Sequence, residues 1–188
     1  ADPSGAFTTA AGMVAITEKH LKDKFSQNLD KSNVVILGGT GPVGVASAVI
    51  CAKAGANVTL VGRSLEKAEK IAGICNDRYN SKNVKGGADA DKSDFFNAAD
   101  IVLNTGAAGI QLMSEEHIKN SNTLKICADT NAVPPSGIAG VDVMDNGKVI
   151  DMSPSKCLGI GALAIGNIKY KSQHECLKLM YTSEKPVY

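Results

Sequence analysis

The sequence predicts an α/β protein built on a parallel, doubly wound sheet with helices on both faces, three layers in all. A separate helix precedes the sheet and a long helix closes the chain. Three observations lead there. The run Val34-Val35-Ile36-Leu37 has the branched apolar residues of a buried strand and feeds the turn Gly38-Gly39-Thr40-Gly41-Pro42-Val43-Gly44. An apolar helical stretch follows over residues 43–54 and stops at Gly55. A second strand, Asn57-Val58-Thr59-Leu60-Val61, completes a strand, helix, strand unit.

The Gly-x-Gly-x-x-Gly spacing at Gly39, Gly41 and Gly44 binds dinucleotides when it joins a strand to a helix. Gly39 is expected to allow the sharp turn, Gly41 to let backbone approach a pyrophosphate, and Gly44 to let helix sit close to strand. Thr40, Pro42 and Val43 complete the turn. Pro42 suits a first helical turn, where its missing N–H has no use, and the neighbouring free amides suit phosphate oxygens. Glycine triplets occur in many loops, so the strand and helix on either side carry the assignment.

The totals set limits. At 188 residues the chain fits one domain with a sizeable core. No apolar run approaches 18 residues, which argues against a membrane-spanning helix. A net charge of +1 without a basic block argues against a nucleic-acid partner. The five cysteines are odd in number, widely spaced and set among apolar neighbours, as expected of buried thiols in the reducing cytoplasm. No Cys-x-x-Cys or paired His spacing offers a metal site.

In chain order, residues 8–21 read as a helix with Thr8 or Thr9 as N-cap and Ala11, Val14, Ala15 and Leu21 on its packing face. Such a helix either hinges to a further domain or simply covers the sheet, and periodicity does not separate the two. Residues 1–30 are therefore read as hinge helix and connection, with residues 25–32 polar, and residues 31–188 as the nucleotide domain. Ser64 caps a helix running to about Tyr79, with Leu65, Ala68, Ile71, Ala72 and Cys75 on one face. Residues 80–92 are polar, with a short third strand near 83–85. Residues 93–99 form a short helix and 100–104 a fourth strand ending in Thr105-Gly106-Ala107-Ala108-Gly109. A short helix at 114–120 leads to a fifth strand at 124–129. Residues 130–140, with Pro134, Pro135, Gly137 and Gly140, make a shaped loop. A sixth strand is expected at 147–151. The last helix is expected from Leu158 to about Ser183, opening with Gly159, Gly161 and Gly166.

A sheet of order 3-2-1-4-5-6 binds ligands beyond the carboxyl ends of its strands, where residues 39–44, 62–67, 104–109 and 129–137 would meet. An NAD site wants an acidic residue at the end of strand 2, but this chain has Gly62-Arg63-Ser64 with Lys67 one turn on. Guanidinium, hydroxyl and ammonium together suit a 2′-phosphate, so NADP is the expected cofactor. The alternative is a solvated basic face with Ser64 as a helix cap. His20, His117 and His174 all fall on expected helices, and no strand end carries His or Cys. A general acid, base or nucleophile is thus missing where one would be looked for. A hydride donor that leaves a resonance-stabilised cation needs none.

With these residues in view, the chain resembles the NADP-dependent methylene-tetrahydromethanopterin/methylene-tetrahydrofolate dehydrogenases, in their C-terminal nucleotide-binding domain. The resemblance runs through Asp2-Pro3-Ser4-Gly5 with Thr8-Thr9-Ala10-Ala11, the Gly39–Gly44 turn, and Gly62-Arg63. It continues through Ala128-Asp129-Thr130-Asn131-Ala132 with Pro134-Pro135, then Gly137-Ile138 and Gly140-Val141-Asp142. It ends in Leu158-Gly159-Ile160-Gly161 and Ile168-Lys169-Tyr170-Lys171. The resemblance implies hydride transfer between the carrier's methylene group and NADP, in one-carbon metabolism. It also implies a pterin or folate carrier bound against an N-terminal domain of about a hundred residues that this chain lacks, and a homo-oligomer. The chain then reads as a fragment or as one part of a split protein. By similarity Asn104, Thr105, Gly106, Ala107 and Asn131 flank the nicotinamide half, and Thr8 and Thr9 lie near the domain cleft. Lys169 is the candidate pterin contact, or one of several exposed lysines. Asp129 either favours the developing cation or fixes its loop.

Three rivals remain open from sequence. Shikimate dehydrogenases also place a hinge helix before an NADP domain, but Phe7-Thr8-Thr9-Ala10 lacks the Asp their proton transfer uses. Tyr181-Thr182-Ser183-Glu184-Lys185 spells the Tyr-x-x-x-Lys of short-chain reductases, although Pro186 leaves no helix to hold the pair. A non-catalytic NADP-binding module is the third.

Overall fold

The computed structural model describes Asp2 and residues 4–184. Seven strands form one sheet of order β3-β2-β1-β4-β5-β7-β6. They are β1 (Asn33–Leu37), β2 (Asn57–Gly62), β3 (Val84–Ala88), β4 (Ile101–Asn104), β5 (Ile126–Asp129), β6 (Asn146–Val149) and β7 (Leu158–Ile160). The helices are α1 (Ala6–Phe25), α2 (Pro42–Lys53), α3 (Leu65–Tyr79), α4 (Lys92–Asn97), α5 (Glu115–Asn120) and α6 (Ala162–Thr182). A 3-10 turn, Asp89–Asp91, joins β3 to α4.

The expected Rossmann-type architecture is present, with helices on both faces. Alternation along the central strands decides which side chains face which layer. Val34, Ile36, Val58, Leu60, Ile101, Leu103, Ile126 and Ala128 point into the layer filled by α1, α2, α3 and α6. Val35, Leu37, Val61, Val102 and Cys127 point the other way, against Phe96 of α4, Ile118 of α5, and Met113 and Ile138 from the loops. Helix α1 is no detached arm, for it packs on both α2 and α6 and buries Met13, Val14, Ile16 and Leu21.

The far edge of the sheet differs from expectation. The sixth position belongs to β7, which pairs parallel with β5, while the expected sixth strand (β6) lies outside it and runs antiparallel. Residues 158–160 were expected to open the last helix. Instead Ile160 is buried in the sheet, and Gly161 is the N-cap of α6, where a Cβ would run into the Asp142 carbonyl and Val143. Of the three glycines expected to pack helix backbone closely, Gly159 thus serves a strand and Gly161 a tight corner, while Gly166 lies in α6 with open space beside it. At the other edge β3 is longer than expected, extending to Ala88.

At the N-terminus, neither Thr8 nor Thr9 is the N-cap of α1. Gly5 is, with φ 67°. Asp2 does the capping from outside: its Oδ2 accepts from the Thr8 amide at 2.7 Å and the Thr8 hydroxyl at 2.8 Å. The Thr8 amide, first among the causes, holds the Asp2 carboxyl below its ordinary range. Phe25 ends α1 and is not part of the connection. Tyr181 is 96% exposed near the end of α6, while Lys185 and Pro186 lie outside the described residues.

Helix α5 opens with a capping box whose N3 residue is His117: Nδ1 accepts from the Ser114 amide at 3.0 Å, and Ser114 Oγ accepts from the His117 amide. That acceptor requires the neutral imidazole, and burial against Phe96 pushes the His117 pKa down. The folded state therefore binds fewer protons than the unfolded one below about pH 6.5. Stability from this group is full above that pH and falls as pH drops toward the lowered folded value. Denaturant unfolding followed between pH 7 and pH 5 is expected to show this slope, and His117→Gln to reduce it.

Candidate functional site

The floor of the site is the turn after β1. Gly38, and not Gly39, carries the positive φ that turns the chain, at 64°. A Cβ there would stand 2.5 Å from Gly106 Cα, so the turns after β1 and β4 touch backbone to backbone. Gly39 is needed for a different reason, since a Cβ would press on Leu60 and the Ile36 carbonyl. Gly44 would meet Gly39 at 2.6 Å. At Gly41 only the Gly38 carbonyl comes near, at 3.5 Å, which leaves the space above it open. The amides of Val43 and Gly44 lie in the first turn of α2, with no helical carbonyl four residues back.

A cleft of about 540 Å³ opens above this floor, lined by Gly38, Thr40, Gly41, Val61, Gly62, Arg63, Asp89, Thr105, Gly106, Ala107, Ile110 and Leu112. Next to it Thr40, Arg63, Ser64 and Lys67 enclose a smaller hollow of about 320 Å³. Arg63 borders both. The three side chains expected to recognise a 2′-phosphate, Arg63, Ser64 and Lys67, thus share one pocket with Thr40, and Ser64 Oγ also caps α3 by accepting from the Lys67 amide at 3.3 Å. Ser64 is thus a helix cap, as the alternative reading of this segment expected. A third hollow, of about 460 Å³, runs along α2 from Thr40, Gly41 and Pro42 to Tyr79, with Ser4, Ala6 and Phe7 on its far wall.

The strand ends on the other side of the switch point are built differently. Asp129 is 1% exposed, and its carboxylate accepts from Asn104 Nδ2 at 2.8 Å, the Asn131 amide at 2.9 Å and the Ile138 amide at 3.0 Å. Asn104 Oδ1 accepts from the Gly106 amide at 3.0 Å. Asn131 donates to the Pro135 carbonyl at 2.8 Å and accepts from the amides of Val133 and Gly109. Thr105 donates to the Leu37 carbonyl at 2.9 Å. Asn104, Asp129 and Asn131 therefore hold the two loops in shape and do not line the cleft, whereas Thr105, Gly106 and Ala107 do. The contacts of Asp129 are those of the loop-fixing alternative.

Lys169 and Thr9 lie elsewhere, at the start of α1. The Lys169 ammonium sits over Gly5, where a Cβ would meet Nζ at 2.5 Å, and its charge is among those lowering the Asp2 pKa. Gln173, one turn on along α6, donates to Thr8 Oγ1 at 3.4 Å, and Thr9 Oγ1 donates to the Gly5 carbonyl at 2.6 Å. The structure thus gathers Asp2, Thr8, Thr9, Lys169 and Gln173 into one polar cluster, separate from Asp129. His20 contacts Asn146 Oδ1 at 2.8 Å and His174 stacks on Tyr170; neither lines the cleft.

No protein-family model matches the chain. Two curated proteins of Methylorubrum extorquens match it from end to end. One is the NAD(P)-dependent methylenetetrahydromethanopterin dehydrogenase, 38% identical over 190 residues, covering 100% of this chain and 63% of the relative. The chain is a relative of the methylenetetrahydromethanopterin dehydrogenases. The other, the bifunctional protein MdtA, is 35% identical over 189 residues with the same coverage. The chain thus spans a little under two thirds of the length of either relative. Among solved structures, L-alanine dehydrogenase superposes with a TM-score of 0.63 at 15% identity, over 95% of this chain and 55% of that one. Shikimate 5-dehydrogenase from Listeria monocytogenes, bound to shikimate and NAD, gives 0.59 at 15% identity, over 87% and 56%. These two likenesses are of fold.

Asp89, Ile110 and Leu112 also line the cleft, although nothing in the sequence pattern marks them. Asp89 was missed because β3 was ended too early; the apolar residues sit in a loop where periodicity carries no signal. The loop network gives a direct test. Asp129→Asn replaces an acceptor-only group with one that must turn an NH2 toward a donor. It is expected to lower the unfolding free energy by about 1 to 3 kcal/mol in denaturant titrations.

Proposed function

We propose that the chain is the nucleotide-binding part of an NADP-dependent oxidoreductase that takes hydride from the methylene group of methylenetetrahydromethanopterin, with the folate analogue as the related carrier. The observation that carries the cofactor is the shared pocket of Thr40, Arg63, Ser64 and Lys67 beside the open Gly41 turn. The relationship to the Methylorubrum extorquens enzyme supports the substrate class.

NADP, when bound, supplies the hydride acceptor. The chain's own residues bind and orient it. The Val43 and Gly44 amides and the N-terminus of α2 face the pyrophosphate, with Thr40, Pro42 and Gly39 shaping the turn. Arg63 and Lys67 neutralise the 2′-phosphate and Ser64 adds a hydroxyl. Thr105, Gly106 and Ala107 border the nicotinamide half, and Asn104, Asp129 and Asn131 fix that border.

Loss of hydride from a carbon between two nitrogens leaves an amidinium-type cation stabilised by their lone pairs. No proton has to move, so the site requires orientation and electrostatic support rather than an acid or base. Lys169 and Thr9, in the α1 cluster, face the carrier together with the N-terminal domain of the longer relatives. Oligomerisation and a cytoplasmic setting belong to the same reading. No helix among the described residues is long and apolar enough to cross a membrane.

Titration with NADP and NAD tests the cofactor. NADP is expected to bind at least tenfold more tightly, and Arg63→Ala is expected to remove most of that difference, since a charge-assisted pair contributes about 1.5 to 3 kcal/mol. Equal affinities in the unaltered protein would overturn the 2′-phosphate assignment. Adding methylenetetrahydromethanopterin and following reduced nicotinamide absorbance tests the reaction. Production of NADPH is expected, and turnover with shikimate instead would move the chain to another class.

A further inference from the structure

The cofactor pocket accounts for the phosphates and the 2′ position but leaves one charged side chain in the cleft without a role. Asp89 lies one residue beyond β3. The register Gly62↔Ala88 brings it alongside Arg63, one strand further out. Its place is closely fixed. A Cβ on Gly86 would collide with the backbone of Glu69, and one on Gly87 with the ring of Phe95, so β3 cannot shift against α3 or α4 without a clash. Lys92 Nζ contacts both carboxylate oxygens, at 3.2 and 3.4 Å, and ties Asp89 to the start of α4.

A carboxylate beside a phosphate site is unfavourable unless it faces something else. Asp89 borders the main cleft but not the hollow of Thr40, Arg63, Ser64 and Lys67. The 2′-phosphate and the purine base are carried by the same ribose, so a phosphate held by Arg63 puts the base within one sugar's reach of it. Arg63 borders both spaces, which makes the adjoining part of the cleft the place for the base. The half-exposed Ile110 supplies apolar surface in the cleft for a flat ring. Adenine carries one amino group, a donor, on its six-membered edge, and an ionised carboxylate only accepts.

We propose that Asp89 reads the adenine base of the bound dinucleotide by accepting a hydrogen bond from its exocyclic amino group. Lys92 acts as a positioning residue that holds the carboxylate in place. The inference rests on the cofactor reading above. It assigns to this cleft a preference for adenine over hypoxanthine, whose exocyclic carbonyl oxygen at the same position presents lone pairs to the carboxylate.

The test compares binding of NADP, NAD and nicotinamide hypoxanthine dinucleotide phosphate to the unaltered protein and to Asp89→Ala and Asp89→Asn. The unaltered protein is expected to bind NADP about tenfold or more tightly than the hypoxanthine analogue, the size of a lost hydrogen bond to a charged group. Asp89→Ala is expected to weaken NADP and bring the two purines level, while leaving the ratio of NADP to NAD unchanged. Asp89→Asn, whose amide both donates and accepts, is expected to bind the hypoxanthine analogue better than the unaltered protein does. If the unaltered protein and Asp89→Ala show the same purine ratio, the inference is overturned and the cofactor reading stands. If Asp89→Ala changes the NADP to NAD ratio instead, Asp89 acts on the phosphate and the inference is likewise overturned. Failure of the unaltered protein to bind NADP overturns both.

Discussion

The whole site depends on two backbones meeting where side chains would keep them apart. β1 and β4 are paired neighbours, and the turns that leave them touch through Gly38 and Gly106. A methyl group on Gly38 would force the β4 loop outward, and the backbone there also adopts a conformation that L side chains resist. From this contact the chain parts in two directions, α2 to one face and residues 105–112 to the other. The cleft is the gap between them, as expected at the switch point of a doubly wound sheet. Gly44 repeats the device one turn later by seating α2 on Gly39, which aims the helix's free amides into the gap.

The two sides of the switch point treat polar groups in opposite ways. On the β2 side, Arg63, Ser64 and Lys67 are exposed and their charges are available to a ligand. On the β5 side, the Asp129 carboxylate and the two asparagine side chains are buried and turned to loop amides. A buried charge is tolerated only when hydrogen bonds replace its lost hydration, and three donors do so here. The result is a stiff platform with little titratable chemistry facing the cleft. Such a platform suits a reaction in which the hydride acceptor and the carrier hold all the electronic change, and geometry is what the protein provides.

Much of this was readable from the chain, for identifiable reasons. The buried parallel strands β1, β2, β4 and β5 announce themselves as apolar runs, and the turn glycines and Arg63-Ser64 follow from their ends. What misled was short or context-dependent. β7 has three residues and two flanking glycines, too little for a period, and only the open edge of β5 makes it a strand. Thr8 and Thr9 have the side chains of N-caps, yet Asp2 supplies the acceptor from six residues away. Asp129 and Asn131 look like site residues because they are polar at a strand end. Their contacts, which pattern cannot show, make them scaffold. Asp89 lay hidden because Gly86 and Gly87, which fit a strand badly by propensity, are required there by the helices pressed against it.

The start of α1 lies against the turn that follows β1. Ser4, Ala6 and Phe7 face the same hollow as Thr40, Gly41 and Pro42, so this helix begins beside the dinucleotide turn and not at a distance from it. Phe7 is 66% exposed there, an aromatic face that this domain leaves uncovered. Lys169 carries a positive charge to the same place, and for a reaction that creates a cation an isolated ammonium would oppose product formation. The Asp2 carboxylate shares the cluster, held below its ordinary range first by the Thr8 amide and last by the Lys169 ammonium, so charges of both signs stand there. Under the proposed function, a polar rim of mixed charge with Thr8 and Gln173 at its edge is the surface that meets the hydrogen-bonding edge of the carrier without resisting the charge that forms on it.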